Sequence, residues 1–335
     1  MHLAATAPLM APPDLLPLAR DVFLTLAKVR FASVPSLLAL AGPSGLTMGL
    51  LDLWVDAGLF HEGIVRLDPI RGTEVRYVAL APAGARALAL ASGQYVGAVS
   101  PSRLKRSSQK RCHDVAVGDV ALAITALERE GLLDVLALET DDRRLATSVV
   151  MQRPGEAPDR VALQADAYVL VQSDDGPRAT LIEVDRGTTS PSRLQEKYAA
   201  YLAWKGERGP ERDFRVRALR VLTIAPSARR SEKLHQAALD ASDGKRSGFL
   251  LFANSPDIAP QDPTRLFEPI ARALGSDIRV PIFMRPSGQC DPQVRWDPAG
   301  GTPPGAATAT LPAPEGRGVS SRPLAVTAFT RALML

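Results

Sequence analysis

The sequence contains few cysteines: Cys112 and Cys290 are the only two in 335 residues. Cysteines so far apart form neither a disulfide framework nor a paired-cysteine metal site, which favours a reducing compartment. Long hydrophobic runs are also missing, because Gly42, Pro43 and two aspartates interrupt the apolar stretch Leu37–Phe60. This interruption excludes a membrane span, and residues 1–13 lack the charged and apolar regions of a signal peptide. We therefore expect a cytosolic protein with no membrane partner.

The chain also lacks a strong excess of one charge and the common nucleotide and hydrolase motifs. Forty Lys and Arg against 36 Asp and Glu give a net charge of +4, too small by itself to indicate a nucleic-acid partner. No phosphate-binding loop, dinucleotide fingerprint, HExxH helix or GxSxG elbow is present. What is there is a globular composition, 46% hydrophobic, with room for two domains and with basic residues in clusters that suit phosphate contacts.

Residues 1–92 have the pattern of three helices followed by a β-hairpin and a last helix. Ser33 is a suitable N-cap for the second helix, and a Gly-Pro-Ser-Gly sequence separates that helix from the third. The predicted helices are Asp14–Arg30, Val34–Ala41, Leu46–Phe60 and 81–90, and the predicted strands are Ile64–Leu67 and Val75–Leu80. This order is typical of a winged helix-turn-helix domain.

The third of these helices, Leu46–Phe60, is apolar on nearly every side, and its only charged residues are Asp52 and Asp56. Helices that read DNA bases present Arg, Lys, Asn or Gln to the major groove. Strong base readout is therefore not expected. Burial against a partner protein or a second copy of the chain explains the apolar helix at least as well.

Beyond residue 92, the sequence predicts three further regions. Residues 93–112 have the composition of a basic linker, residues 113–282 form an α/β domain, and residues 283–335 are a Pro-, Gly- and Ala-rich tail that we expect to be disordered. In the α/β domain the predicted helices are His113–Arg129, Pro191–Gly206 and Ser227–Ala241, and the predicted strands are Leu132–Leu138, Ala146–Gln152, Val161–Val171, Arg178–Val184, Ala218–Ile224, Gly248–Ala253 and Asp277–Ile282. This succession predicts a mixed sheet, so the fold class is α/β, and α+β overall.

Three carboxylates are predicted to converge at one end of this sheet. Glu183 and Asp185 share a face of their strand because side chains alternate along it. The preceding strand pairs with it in a hairpin. A loop of Ser173–Gly176 places Asp166 opposite Glu183, whereas a turn of Asp175-Gly176 alone places it opposite Asp185. Unpaired carboxylates this close repel one another, and a divalent cation such as Mg²⁺ relieves the repulsion.

Ordinary structural roles remain as alternatives for the same residues. Asp166 and Asp185 then merely end strands, and Glu183 pairs with Arg186 or Lys197. The apolar residues that flank these acids indicate a buried strand pair, in which a carboxylate needs a partner. Lys197 lies at the edge of the buried stripe of the following helix. Its amine reaches the acidic cluster, or its aliphatic chain covers apolar surface, and the two interpretations are equally good.

A family resemblance is carried by three short segments and by three residues of the following helix. The segments are His113-Asp114-Val115, Ala165-Asp166-Ala167 and Ile182-Glu183-Val184-Asp185-Arg186-Gly187-Thr188, and the helix residues are Lys197, Tyr198 and Tyr201. With them the chain, over about residues 14–282, resembles the replication-relaxation family of plasmid- and mobile-element-associated proteins. The resemblance implies a winged helix followed by a domain like the PD-(D/E)XK nucleases. It places Asp166 and Glu183 as Mg²⁺ ligands, while Asp185 occupies the position of the lysine that helps to activate water. Either Lys197 supplies this amine from the helix, or the fold is retained without cleavage.

His113 begins a helix of the kind that flanks the acidic site in this fold, and a purely structural role is the alternative. Phosphate contacts are predicted around the wing, in the linker and near the acidic site, at Arg66, Arg71, Arg76, Arg103, Lys105, Arg106, Lys110, Arg111, Arg186, Arg229 and Arg230. Contact with the DNA backbone, independent of base sequence, fits these residues better than base readout.

Two hypotheses about function follow. The first is a DNA-binding protein of a plasmid or other mobile element that acts in replication or mobilisation. Its nuclease-like domain would use Mg²⁺, with Asp166, Glu183, Asp185 and Lys197 as site residues. The second is a non-catalytic adaptor with a degenerate nuclease fold, whose helix Leu46–Phe60 binds a partner protein or forms a homodimer.

Overall fold

The computed structural model describes residues 16–66, 73–92, 97–140, 145–152 and 157–284, and all of them belong to one compact unit. The predicted tail, apart from Phe283 and Met284, lies outside the described residues, as does Arg71.

The N-terminal part combines helices with a small antiparallel sheet. Its elements are α1 (Leu16–Val29), β1 (Phe31–Ser33), α2 (Val34–Ala41), α3 (Met48–Asp56), β2 (Phe60–Arg66), β3 (Glu74–Leu80) and α4 (Pro82–Ser92), and the strand order is β1-β3-β2. Ser33 caps α2 by accepting a hydrogen bond from the backbone N–H of Ser36, as the sequence predicts, and Thr47 caps α3 in the same way. Leu51 and Trp54 of α3 pack into the core that these helices share.

The remainder is built on a seven-stranded mixed sheet. Its elements are α5 (Pro101–Leu104), α6 (Ser108–Arg129), β4 (Val135–Glu139), β5 (Ala146–Met151), β6 (Asp159–Gln164), β7 (Ala167–Ser173), β8 (Gly176–Val184), α7 (Pro191–Gly206), α8 (Gly209–Phe214), β9 (Ala218–Ala225), α9 (Ala228–Ala241), β10 (Ser247–Asn254), β11 (Ala271–Leu274) and β12 (Arg279–Val280). The sheet order is β12-β11-β10-β9-β8-β7-β4, with β8, β9 and β10 parallel and the outer pairs antiparallel, while β5 and β6 form a separate pair. The predicted α+β class with a mixed sheet is confirmed.

Helices cover both faces of this sheet. Val120 and Ile124 of α6 pack on one face against Ile182 and other apolar strand residues. On the other face, α7 and α9 contribute a second core that contains the fully buried Tyr201 and Trp204. Alternate residues of β8 therefore point into different cores, as a strand buried on both faces requires.

Helix α6 also packs against the N-terminal sheet, so it belongs to both parts of the molecule. At Gly118 the helix lies against β1 so closely that an added Cβ would meet the carbonyl oxygen of Phe31 at 1.7 Å. One residue later, Asp119 Oδ1 accepts a hydrogen bond of 2.9 Å from the backbone N–H of Ser33. Burial raises the pKa of Asp119 to about 6 despite the hydrogen bonds from Ser33 and Ser36.

The structure corrects several predicted boundaries. Helix α6 begins at Ser108 rather than His113, because Ser107 caps it and Cys112 is already buried, so its first turns lie in the predicted linker. The predicted third helix is shorter, and β2 already begins at Phe60. The predicted strand Val161–Val171 is divided into β6 and β7, which pair in different sheets. Strands β1 and β11 and the short helices α5 and α8 were not predicted, and the last predicted strand covers two residues only.

Within the described part of the chain, no single helix is long and apolar enough to cross a membrane. The bent pair of helical segments 34–44 and 48–56 meets the length and composition criteria together, and its Leu37, Leu51 and Trp54 are buried in the protein core.

Candidate functional site

A cavity of about 480 Å³ opens where the start of α6, the end of β8 and the first turns of α7 meet. Its lining is rich in charged and hydroxyl side chains, and consists of Arg106, Gln109, Lys110, His113, Asp166, Glu183, Val184, Asp185, Arg186, Thr188, Thr189, Leu194, Lys197, Tyr198 and Thr223. The structure thus brings together all three predicted carboxylates, Lys197 and His113.

Asp166 lies immediately before β7, in the break between β6 and β7. Its Oδ1 is 2.9 Å from Nε2 of His113, and its Oδ2 accepts a 2.7 Å hydrogen bond from the backbone N–H of Val184. Burial raises the pKa of Asp166, but the hydrogen bond and charge of His113, with the charge of Lys197, outweigh it, so this pKa lies below its ordinary value. Burial lowers the pKa of His113, but the hydrogen bond and the charge of Asp166 outweigh it, so this pKa lies above its ordinary value.

Glu183 lies opposite Asp166, because Ala167 pairs with Ile182 in the hairpin register. This is the register predicted for the loop Ser173–Gly176. The Glu183 side chain is only 7% exposed, and its Oε2 is 2.5 Å from the ammonium group of Lys197.

The second oxygen of Glu183 accepts a hydrogen bond from the hydroxyl of Tyr201. Burial raises the pKa of Glu183, the nearby charge of Asp166 adds to the rise, and Lys197 opposes it. Burial lowers the pKa of Lys197, but the charges of Glu183 and Asp166 outweigh this effect, so the pKa lies above its ordinary value. The predicted alternative in which Glu183 pairs with Lys197 is therefore present in the structure.

Asp185 has a different partner. Arg230, at the start of α9, donates from Nε to Oδ2 at 2.7 Å and from Nη2 to Oδ1 at 3.1 Å. The backbone N–H of Gly187 also donates to Oδ2, and Arg230 reaches the carbonyl oxygen of Thr189. The charge of Asp185 is thus neutralised by an arginine 45 residues further along the chain.

We call Asp166, Glu183, His113 and Lys197 the inner site, in which each carboxylate faces one basic side chain: Asp166 faces His113, and Glu183 faces Lys197. Oxygen ligands are those that Mg²⁺ takes, and proteins often hold this ion with one or two carboxylates while substrate phosphates complete the shell. Asp166 and Glu183 fit Mg²⁺ by this criterion, although each of their oxygens already accepts from a protein donor. Both oxygens of Asp185 are engaged by Arg230, so Asp185 fits less well. Among the described residues, no group of three or more His, Cys, Asp and Glu is arranged to hold a metal.

A junction beside the cavity joins the two parts of the molecule. Arg186 donates from Nη2 to the sulfur of Cys112 at 2.8 Å and to the carbonyl oxygen of Arg66 at 3.2 Å. The Cys112 thiol itself donates to the same carbonyl at 2.7 Å, and burial raises its pKa. The end of β2, the start of α6 and the β8–α7 loop therefore meet at one point.

The predicted phosphate-binding residues fall into two groups. Most of those described are engaged within the protein: Arg66 with Glu74, Arg76 with Asp52 and Glu62, Arg106 with Asp114, Arg111 with the carbonyl oxygens of Leu104 and Arg106, Arg186 at the junction, and Arg230 with Asp185. Lys105, Lys110 and Arg229 are exposed, whereas Arg103 is half-buried and its charge interacts with the carboxylate of Asp114.

Sequence reasoning missed the ion pair of Asp185 with Arg230 and the link between Cys112 and Arg186. Strand periodicity carries no information on contacts between residues so far apart. The ion pair of Asp185 with Arg230 had one weak signal in the sequence, the two arginines at the start of α9. This helix follows β9, which lies next to β8 in the sheet.

Comparison with known proteins gives one match. A family model described as replication-relaxation matches residues 25–214, more than half of the chain. No curated protein and no solved structure matches the chain. The matched segment contains every residue of the inner site, whereas Arg230 lies beyond it.

Proposed function

Because the chain belongs to the replication-relaxation family, we propose that it is a DNA-binding protein of a plasmid or other mobile element that cleaves phosphodiester bonds with Mg²⁺. Membership of the family indicates a role in replication or in mobile-element function. The proposal adds the partner, DNA, and the chemistry. It also interprets the N-terminal part as a winged helix and the mixed-sheet part as nuclease-like.

One observation carries the proposal: two carboxylates and a lysine lie side by side at an open cavity. Asp166 and Glu183 stand opposite each other at one end of the sheet, and Lys197 bonds Glu183 from α7. Buried carboxylates so close are costly unless cations accompany them. An arrangement held against this cost, and open to solvent on one side, is typical of a functional site.

Each side chain has a role in the proposed reaction. Asp166 and Glu183 would hold Mg²⁺, which when bound polarises a phosphodiester and lowers the pKa of a water molecule. His113 and Tyr201 position the two carboxylates through their hydrogen bonds. Lys197 faces the cavity with a positive charge that favours the extra negative charge of a phosphate under attack.

A nuclease assay tests the proposal. Supercoiled, linear and single-stranded DNA are incubated with Mg²⁺ or Mn²⁺ and wild-type protein or the isosteric variant Glu183→Gln. DNA binding is measured in parallel with chelator present. We expect binding without metal, cleavage with metal, and a loss of roughly a hundredfold or more in cleavage rate for the variant, the scale on which one charge-stabilising group acts.

Glu207→Gln is the matched control, because Glu207 is an exposed residue just after α7 with only a long 3.7 Å pair to Arg212. It should cleave like wild type. Equal cleavage by Glu183→Gln and wild type, or no cleavage in any metal, would contradict the proposed chemistry.

A second candidate is a non-catalytic adaptor or scaffold with a degenerate nuclease fold. It is favoured by the pairing of Asp185 with Arg230 in the position of the family's lysine, and by protein donors on every oxygen of Asp166 and Glu183. A partner protein or a second copy would then bind through the exposed part of 46–60. Binding of DNA without cleavage, unchanged in Glu183→Gln, would support this candidate.

A further inference from the structure

The exposed face of α3 is poorly suited to a phosphate backbone. It presents Leu53, 62% exposed, and Met48, 42% exposed, together with the carboxylates of Asp52 and Asp56. The nearby Arg76 is held by two acids, at 2.5 Å from Asp52 and 2.6 Å from Glu62. A cation paired twice contributes little to attracting a polyanion.

The surface at the start of α6 is basic, in contrast to the apolar and acidic face of α3. Lys105 and Lys110 are exposed there, and Arg106, Gln109 and Lys110 line the mouth of the cavity. We call residues 105–110 the α6 ridge. It leads from the surface to the carboxylates without an intervening acidic side chain in its own sequence.

We propose that the DNA backbone reaches the site over the α6 ridge, through phosphate contacts that do not depend on base sequence, and that the exposed face of α3 takes no part. This inference rests on the proposed function, and it assigns the surface that delivers the substrate to that site.

Helix electrostatics support the assignment. Lys110 lies in the first turn of α6, next to the Ser107 cap, where the positive end of the helix dipole disfavours a cation. The same dipole favours an anion, so a phosphate in front of the turn interacts well with both the helix end and the lysine.

The test is DNA binding by the full chain in chelator, measured by fluorescence anisotropy with oligonucleotides of unrelated sequence at several salt concentrations. The ridge variant is Lys105→Glu with Lys110→Glu. Its control is Lys245→Glu with Arg246→Glu, which changes the net charge equally at exposed positions of the α9–β10 loop, at the opposite end of the parallel strands. A third variant, Leu53→Glu, adds an acid to the exposed face of α3.

At about 100 mM salt we expect the ridge variant to bind every DNA sequence with an affinity roughly tenfold lower, or lower still. The slope of log affinity against log salt concentration should become smaller in magnitude by about two, because two phosphate contacts are lost. The control and Leu53→Glu should bind like wild type.

If the ridge variant keeps wild-type affinity and slope, or if Leu53→Glu weakens binding as much, the assignment of this surface is wrong while DNA binding stands. If wild-type protein binds no DNA at any salt concentration, the proposed function itself fails. Circular dichroism and thermal melts of each variant show that the fold is intact, which we expect because all five positions are exposed.

Discussion

Replacing Lys197 with methionine removes the cation from Glu183 while keeping a side chain of similar length. The Glu183 side chain is 7% exposed, so water cannot replace the lost ammonium group in this variant. The hydroxyl of Tyr201 is then the remaining hydrogen-bond donor to the Glu183 carboxylate. Breaking a buried ion pair on one side costs about 3–5 kcal/mol. Because 36% of the Lys197 side chain is exposed, we expect the lower end, about 3 kcal/mol of unfolding free energy.

Urea unfolding at neutral pH measures this loss, and its pH dependence identifies the cause. Without Lys197 the pKa of Glu183, already raised by burial, rises further. The variant's deficit should therefore be largest above that pKa and shrink as pH falls through it, because a protonated Glu183 needs no cation. The double variant Lys197→Met with Glu183→Gln should recover much of the stability, since no charge is left unpaired.

The matched control is Lys205→Met, two turns further along α7. Its ammonium group lies 4.9 Å from the ring centroid of Phe249, an interaction worth about 0.5–1 kcal/mol at an exposed site. If Lys197→Met costs no more than Lys205→Met at neutral pH, Glu183 is not held as an anion by Lys197, and the ion pair between them does not stabilise the fold.

Two further predictions concern the contact of α6 with the N-terminal sheet. Gly118→Ala places a Cβ against the carbonyl oxygen of Phe31 and should lower the free energy of unfolding in urea by about 1–3 kcal/mol or more. The control Gly49→Ala on α3, which has open space around it, should be neutral or stabilising by up to about 1 kcal/mol. Equal effects of the two substitutions would show that α6 and β1 are not in close contact. Asp119 has a folded pKa of about 6, so the neutral form is the one that folding favours, and stability should fall by about 3 kcal/mol as pH rises from about 4 to above 6. Asp119→Asn should remove that part of the pH dependence, and an unchanged pH profile would count against a buried carboxyl here.

Local patterns predicted much of the fold and the core of the site. The Ser190-Pro191 start of α7 and the hairpin around Gly176 are governed by nearby residues, and the structure follows both predictions. The hairpin predicted that Asp166 lies opposite Glu183 or Asp185, depending on the turn, and the structure has the register that places it opposite Glu183.

Features that depend on distant partners were not predictable in this way. The apolar alternation of 161–171 runs on through the break before β7, since nothing in it records that β6 pairs with β5 outside the main sheet. The first turns of α6 are polar and resemble a linker, and the contacts of Cys112 with the end of β2 and with Arg186 of the β8–α7 loop are not visible in the local pattern. The pairing of Asp185 with Arg230 depends on β9 lying beside β8, which periodicity does not specify.

Helix α6 has a consequence for how such a protein can be divided or inherited. One side of it closes the N-terminal core through Ala121 and Leu122, and another closes the core of the large sheet through Val120 and Ile124. A cut on either side of this helix leaves one fragment with an uncovered apolar face. Recombination that exchanged one half for that of a relative would succeed only where both halves accept the same helix, so the two parts are expected to change together in evolution.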